Sequence, residues 1–440
     1  MQSKNYTIFF ILLYLWILVT NPQSRFPILG EIHFERIVMI VSWIVLLLTS
    51  KINIRFSSMT FLIIIFYLFL NISYFFSPYQ NYHLSQHWIE NYWKFIILYF
   101  LILFSINDIN DIFYIFTGFV LILFIYQAHS WYDFMHGGAY VWQQGIKRIV
   151  GIWSEGIGAA NYFGMISLFS LPFALFYYKT SKKGKMKKIL IFYFIMTILS
   201  IIYSGTRGAL LGFVFLILIN MRQIKQINKF AIILILVPII TLGFTPDYLK
   251  HRYLNLITKV DYTMDEEVEK IQRTSALGRM IGFIDGWELA KKSPIFGYGP
   301  GSSPVARKKV NKKFQIDSES DLQLHNLYGQ VLSETGFLGT ILFFSIIILY
   351  FKQFRKIKDI IEDKSELYNY KLALQNSMLL MLFYGIASHT LYRYYWFMLF
   401  ACHEAFIDIV SRGFKTELLN DKQSAEQSIN TPLSDDLIRL

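Results

Sequence analysis

Cysteine is almost absent: Cys402 is the only one in 440 residues, which excludes an intrachain disulfide framework and a zinc site built from paired cysteines. Charge is scarce as well. Only 16% of the residues are Asp, Glu, Lys or Arg while 54% are hydrophobic, a balance that leaves too little polar surface for a water-soluble shell. Several signatures are missing. No HExxH, paired-carboxylate or Cys/His ligand spacing points to a metal. No P-loop, GxSxG or GxGxxG stands before a suitable helix, which argues against nucleotide hydrolysis and serine-esterase chemistry. No basic stripe interleaved with stacking aromatics supports a nucleic-acid partner. The net charge of +12 fits instead the cytoplasmic excess of Lys and Arg that orients membrane proteins.

What is present in abundance is apolar sequence in lengths that suit a bilayer, for example over 61–76, 112–128, 189–203 and 230–244. The spacing predicts helices near 6–20, 37–50, 59–76, 90–105, 112–128, 160–178, 189–204, 208–221, 230–245, 333–351, 373–388 and 394–410. The first is read as a retained helix, since it lacks a small-residue cleavage site. The basic residues of the short connections test this arrangement: Lys51 and Arg55, the run Lys179, Lys182, Lys183, Lys185, Lys187 and Lys188, then Arg222, Lys225 and Lys229, and finally Lys352, Arg355, Lys356 and Lys358. All fall on one side when both termini are cytoplasmic.

The expectation is an all-α polytopic membrane protein with about 12 transmembrane helices and a large, partly helical extracytoplasmic loop. It divides into an N-terminal bundle over 1–245, the loop over 246–332, C-terminal helices over 333–411 and a flexible cytoplasmic tail over 412–440. A structureless loop of that length is improbable, and 276–292 carries Leu277, Met280, Ile281, Ile284 and Trp287 at helical spacing. An amphipathic helix is predicted there, ended by the turn SPIFGYGPG over 293–301.

Ionisable residues are nearly absent from the middles of these segments, which lowers a transporter reading. Polar residues gather instead at the expected extracytoplasmic ends: Arg148, Glu155 and Asn161; Ser204, Thr206 and Arg207; Arg279; His325 and Asn326; His389 and Arg393. Two readings stand beside each other for these groups. Arg207 is either a snorkelling interfacial residue or, with small neighbours Ser204, Gly205 and Gly208, a guanidinium fork for phosphate. Arg279 is either a solvated residue or a second part of such a clamp. His325 is either structural or a base for a hydroxyl proton near neutral pH.

Four motifs resemble the bacterial O-antigen ligase and polymerase group, membrane glycosyltransferases that use lipid-pyrophosphate-linked sugars. RIVGIWSEGIGAANYFG over 148–164 is similar to the family's arginine-to-asparagine loop, although Ala160 stands where a proline often precedes the asparagine. SGTRGALLG over 204–212 is similar to its Ser/Thr-Arg-Gly turn. TSALGRMIGFIDGWELAKKSPIFGYGPG over 274–301 is similar to its arginine helix and following glycine turn. His325-Asn326 with Gly336-Phe337-Leu338-Gly339 downstream is similar to the signature that closes the large loop.

The resemblance implies an inverting, metal-independent transfer of a glycan from undecaprenyl pyrophosphate to an acceptor hydroxyl, with no cofactor. It places His325 as the base, Arg207 and Arg279 on the pyrophosphate, and Arg148, Asn161, Asn326, Arg252 and Arg393 in support. It also puts the large loop on the periplasmic side of a bacterial inner (plasma) membrane. The leading expectation is an O-antigen ligase that acts on lipid A-core, to which the segments 251–255 and 274–279 lean. A polymerase that extends a lipid-linked glycan is the alternative. A protein-glycosylating ligase and a polysaccharide flippase or other transporter follow. Partners would be the lipid-linked donor, the lipid A-core or lipid-linked acceptor and membrane lipids.

Overall fold

The computed structural model describes residues 2–49, 52, 56–143, 145–154, 159–221, 249, 266–310, 323–363 and 365–430. Among these the chain is helical apart from one hairpin. The N-terminal part runs α1 (Gln2–Thr20), a 3-10 turn (Pro22–Ser24), α2 (Pro27–Glu31), α3 (Phe34–Thr49), α4 (Ser58–Phe75), α5 (His83–Ser105) and α6 (Ile109–Met135). The antiparallel strands β1 (Tyr140–Gln143) and β2 (Ile146–Ile149) follow, with Val141 paired to Arg148. Then come α7 (Ala159–Thr180), α8 (Gly184–Tyr203) and α9 (Arg207–Met221). The C-terminal part consists of α10 (Glu266–Lys292), α11 (Ser303–Val310), α12 (Leu327–Lys356), α13 (Lys358–Asp363), α14 (Ser365–Gly385) and α15 (Tyr394–Asn430).

Helix starts are set by side chains that occupy the orphan N–H groups of a first turn. Ser57 Oγ accepts from the Met59 and Thr60 amides, each at 3.1 Å, to open α4. Asp108 and Asp111 form a reciprocal capping box at α6. In the middle lies α7, the most enclosed of the long apolar helices at 83% buried, packed on α6, α8 and α14. Its aromatic neighbours interlock: Phe173 lies 4.7 Å from Phe116 between ring centroids, and Phe169 lies 5.3 Å from Tyr395.

Six helices, α4, α5, α6, α7, α8 and α12, are long and apolar enough to cross a membrane, and Tyr6–Thr20 and Arg207–Asn220 are shorter apolar helices. The protein is therefore an all-helical membrane protein in broad outline. The expected twelve spans are not reached among the described residues. One of them, 230–245, lies outside those residues. Helix α3 is 16 residues long and opens on Glu35 and Arg36, α14 carries Glu366, Lys371, Gln375 and Asn376, and α15 carries His403, Glu404 and Asp408. Polar residues also enter the bundle more than the sequence suggests: Lys94 of α5 pairs with Glu35 at 3.2 Å, and His403 and Glu404 are buried in α15. Helix α15 runs on to Asn430, into the segment assigned to the tail.

Two differences in the C-terminal part shape the site. The helix expected over 276–292 begins at Glu266, and the one expected to start at 333 begins at Leu327. The second is broken at Gly336, where φ is 64° and ψ is −168°, so a short helical piece over 327–335 precedes the long apolar stretch. The carbonyls released by the break are taken by the glycine turn: Tyr298 N–H donates to Ser333 O at 2.9 Å and Gly299 N–H to Glu334 O at 3.0 Å. That turn is made of Gly297, Gly299 and Gly301, all at positive φ.

Helix α10 meets this short piece backbone to backbone. A Cβ on Gly282 would stand 1.9 Å from the Leu324 carbonyl oxygen, and one on Gly286 would stand 2.3 Å from that of Gly329. No side chain fits there. Gly282→Ala should therefore force the helices apart and lower stability by about 1–3 kcal/mol, the usual range for overpacking. Thermal unfolding in detergent checks this, and an unchanged midpoint would refute the contact.

Candidate functional site

The His325 backbone sits in the left-handed region at φ 49°, which a residue with a Cβ adopts at a cost and only where its surroundings impose it. Asn326 imposes it. Its Oδ1 accepts from Gly329 N–H at 2.9 Å and so caps α12, while its Nδ2 donates to Arg279 O at 3.3 Å and Ile386 O at 2.9 Å. One side chain thus joins α10, α12 and the end of α14, and turns the preceding imidazole outward. His325 is exposed at its edge, where a ligand can reach it.

The rest of its surroundings are protein and cation. Enclosure, then the charges of Arg279 and Arg307, hold the His325 imidazole down at about 4, so it is neutral at physiological pH. His389 stands beside it with ring centroids 5.2 Å apart. Burial first, then His325 and Arg393, push His389 well below its ordinary range too. Burial also lowers Arg279 from its usual value, a shift that leaves a guanidinium charged at any biological pH.

A second group of residues forms the other wall. The Arg148 side chain is 1% exposed and spreads its fork over Ser204 O (2.6 Å), Gln143 Oε1 (2.7 Å), Asn161 Oδ1 (2.7 Å) and Thr206 Oγ1 (3.3 Å). It braces β2, α7 and the turn before α9. Thr206 Oγ1 donates in turn to Ala160 O at 3.1 Å. Arg207 follows at the first position of α9, buried, beside Gly208, whose bare Cα faces Ala387 and Tyr384.

Tyr384 links the two walls. Its hydroxyl donates to Asn161 O at 3.2 Å, and it lies within the electrostatic reach of Arg279, Arg148 and Arg393. The Arg393 guanidinium stacks 5.6 Å over the Tyr162 ring.

The structure therefore gathers Arg279, His325, Asn326 and Arg393 with Arg148 and Asn161, and brings Arg207 next to Tyr384. Arg252 and Glu155 lie outside the described residues. Among the described residues no group of three or more His, Cys, Asp or Glu is arranged to hold a metal.

Sequence reasoning did not single out Tyr384, Arg307 or Glu334. Glu334 is fully buried and accepts from Gly301 N–H (2.9 Å), Ser303 Oγ (2.7 Å) and Tyr392 OH (2.5 Å). It ties the glycine turn and α11 to the segment that carries His389 and Arg393. The signal was its place within SETG, between the His-Asn pair and the glycine break. Nothing in Tyr384 marks it in a chain with 29 tyrosines.

Asn326→Ala should cost about 1 kcal/mol for the lost cap, with more from its two donated bonds. Asn326→Asp keeps the cap acceptor and should recover only the first part. Unfolding midpoints of the two variants measure this, and equal midpoints would contradict it.

Comparison with known proteins then bears on the same residues. A family model described as O-antigen ligase matches residues 192–344, which hold Arg207, Arg279, Arg307, His325, Asn326 and Glu334. An uncharacterized protein of Haemophilus influenzae is 28% identical over 191 residues, 38% of this chain and 45% of that relative. The chain thus spans less than half the length of the curated relative that it matches.

Proposed function

We propose that the chain, whose residues 192–344 match the O-antigen ligase family model, transfers a glycan from undecaprenyl pyrophosphate to a sugar hydroxyl of lipid A-core. The observation that carries this reading is the exposed His325 side chain, next to Asn326, which is tied to the Arg279 backbone so that the Arg279 charge is felt at the imidazole. Base and anion-stabilising charge are both needed where a hydroxyl displaces pyrophosphate.

The acceptor oxygen attacks the anomeric carbon from the face opposite the pyrophosphate as His325 takes its proton. The bond to the phosphate oxygen breaks, and the leaving group departs with the electron pair. Arg207 and Arg279 bind the charge that grows there. Fixed guanidinium groups in a site shielded from water are effective in that role. Arg148, Asn161, Asn326 and Arg393 position these groups. The apolar helices α4 to α8 and α12 hold the lipid tail of the donor, and α10 and α11 border the sugar-transfer site on the periplasmic side of the inner membrane.

An imidazole held near 4 is a weak base, and the substrate supplies the remedy. Burial is the larger cause of the shift, but an anionic pyrophosphate offsets the two arginine charges that add to it, so the imidazole regains part of its basicity when donor is bound. The base must be unprotonated, and activity falls as pH drops through its pKa. The acid limb of kcat/KM, which reports the free protein, should lie near 4, while that of kcat should lie higher. Coincident limbs would remove His325 as the base.

Transfer with purified protein in liposomes, lipid-pyrophosphate-linked glycan, and lipid A-core or a lipid-linked repeat offered separately tests the reading directly. Product on lipid A-core is expected, reduced about 10²–10⁴-fold by His325→Ala and about 10²–10³-fold by Arg279→Ala. A ladder of longer lipid-linked glycans makes the protein a polymerase. Failure with both acceptors, with folded protein and intact donor, refutes transfer and favours transport.

A further inference from the structure

Asp285 on α10 and Arg307 on α11 form an ion pair that no sequence motif announces. Arg307 Nε meets Asp285 Oδ2 at 2.6 Å, with the Asp285 side chain fully buried and that of Arg307 12% exposed. The pair is an ion contact and not a directed hydrogen bond, and the guanidinium is incompletely paired at the nitrogen next to Nε. Its Nη2 is buried and has no hydrogen-bond partner among the described residues. A buried, charged N–H left unpaired is costly, and native structures keep such groups where a ligand, ion or water completes them.

The position of the pair narrows what that ligand is. Asp285 lies between Gly282 and Gly286, the two residues that seat α10 on the segment beginning at Leu324, so its backbone is among the most closely held in the site. Helix α11 starts at Ser303, whose hydroxyl and the preceding Gly301 amide are both held by Glu334. Arg307 therefore projects from one anchored helix towards another, and its charge, like that of Arg279, is felt at His325. A carboxylate on Nε leaves Nη2 of the planar fork for a second oxyanion.

We propose that Arg307 is a third anion-binding residue of the site, clamped by Asp285 through Nε and presenting Nη2 to a phosphoryl oxygen beside His325. Two substrates carry that chemistry: the pyrophosphate of the donor and a phosphate substituent on the acceptor sugar. Only this choice of substrates rests on the sugar-transfer reading; the phosphate-binding geometry does not.

The test uses the full chain in nanodiscs. Affinity for undecaprenyl pyrophosphate is measured for the wild type, Arg307→Gln, Arg307→Lys, Asp285→Asn and His325→Ala, with unfolding midpoints alongside. KM is then measured for phosphorylated and dephosphorylated acceptor. Weakening of about tenfold or more in Arg307→Gln, less in Arg307→Lys, and none in His325→Ala supports the proposal with the donor as ligand. Unchanged donor affinity with a tenfold rise in KM for the phosphorylated acceptor alone supports it with the acceptor as ligand.

The proposal is overturned if Arg307→Gln changes neither quantity. It is also overturned if Asp285→Asn reproduces every loss together with a fallen midpoint, since the pair is then a strut. Donor binding that depends on Arg307 without transfer to any acceptor defeats the transfer reading and leaves the proposal standing.

Discussion

The contact between α10 and the first turns of α12, where Gly282 and Gly286 meet Leu324 and Gly329 with no side chain between them, is the constraint from which the site follows. Close backbone approach through glycine lets two helices touch where larger residues would hold them apart. It sets Arg279 one turn from the contact on one helix and His325 just ahead of the other. Asn326 then closes the gap with a hydrogen bond to the Arg279 carbonyl. The unusual φ of His325 is the local cost of that closure, held in place by the packing around it.

Around this contact the polar side chains sort into those that hold the frame and those that face the open edge. Arg148 and Glu334 are buried, each with several protein partners, and each fixes two or three elements at once. Such networks rigidify only when their members are satisfied. His325 and Arg307 differ, one exposed at its edge and the other with a buried nitrogen unmatched. Incomplete pairing beside a neutral imidazole is the feature on which the proposed site rests.

Electrostatics and topology reinforce one another here. Arginines contributed by α10, α11 and the segment before α15 come from distant parts of the chain, and their charges are felt at His325 and its neighbour His389. Enclosure first, and then the charges of Arg279 and Arg307, keep His325 neutral in the free protein.

Much of this was legible in the residues. Apolar runs of bilayer length determine helices at 61–76 or 112–128, because no other structure satisfies the backbone in hydrocarbon, and each arginine and histidine of the site that lies among the described residues stands in a polar break between such runs. The His-Asn pair was legible for its chemistry. Its conformation was not, since a left-handed His325 depends on Asn326 reaching carbonyls on two other helices. Six of the expected spans are long and apolar enough to cross a membrane among the described residues, and α14 and α15 differ from them by polar residues such as Asn376, His403 and Glu404 that are buried in the bundle. Tyr384, Glu334 and the Asp285–Arg307 pair owe their places to contacts between residues tens to hundreds of positions apart. The sequence by itself determined a helical membrane protein with a cationic polar end, because hydropathy and charge are local properties. Only the tertiary structure decided which cations surround His325, because that depends on helix packing, which glycine contacts and single buried side chains direct.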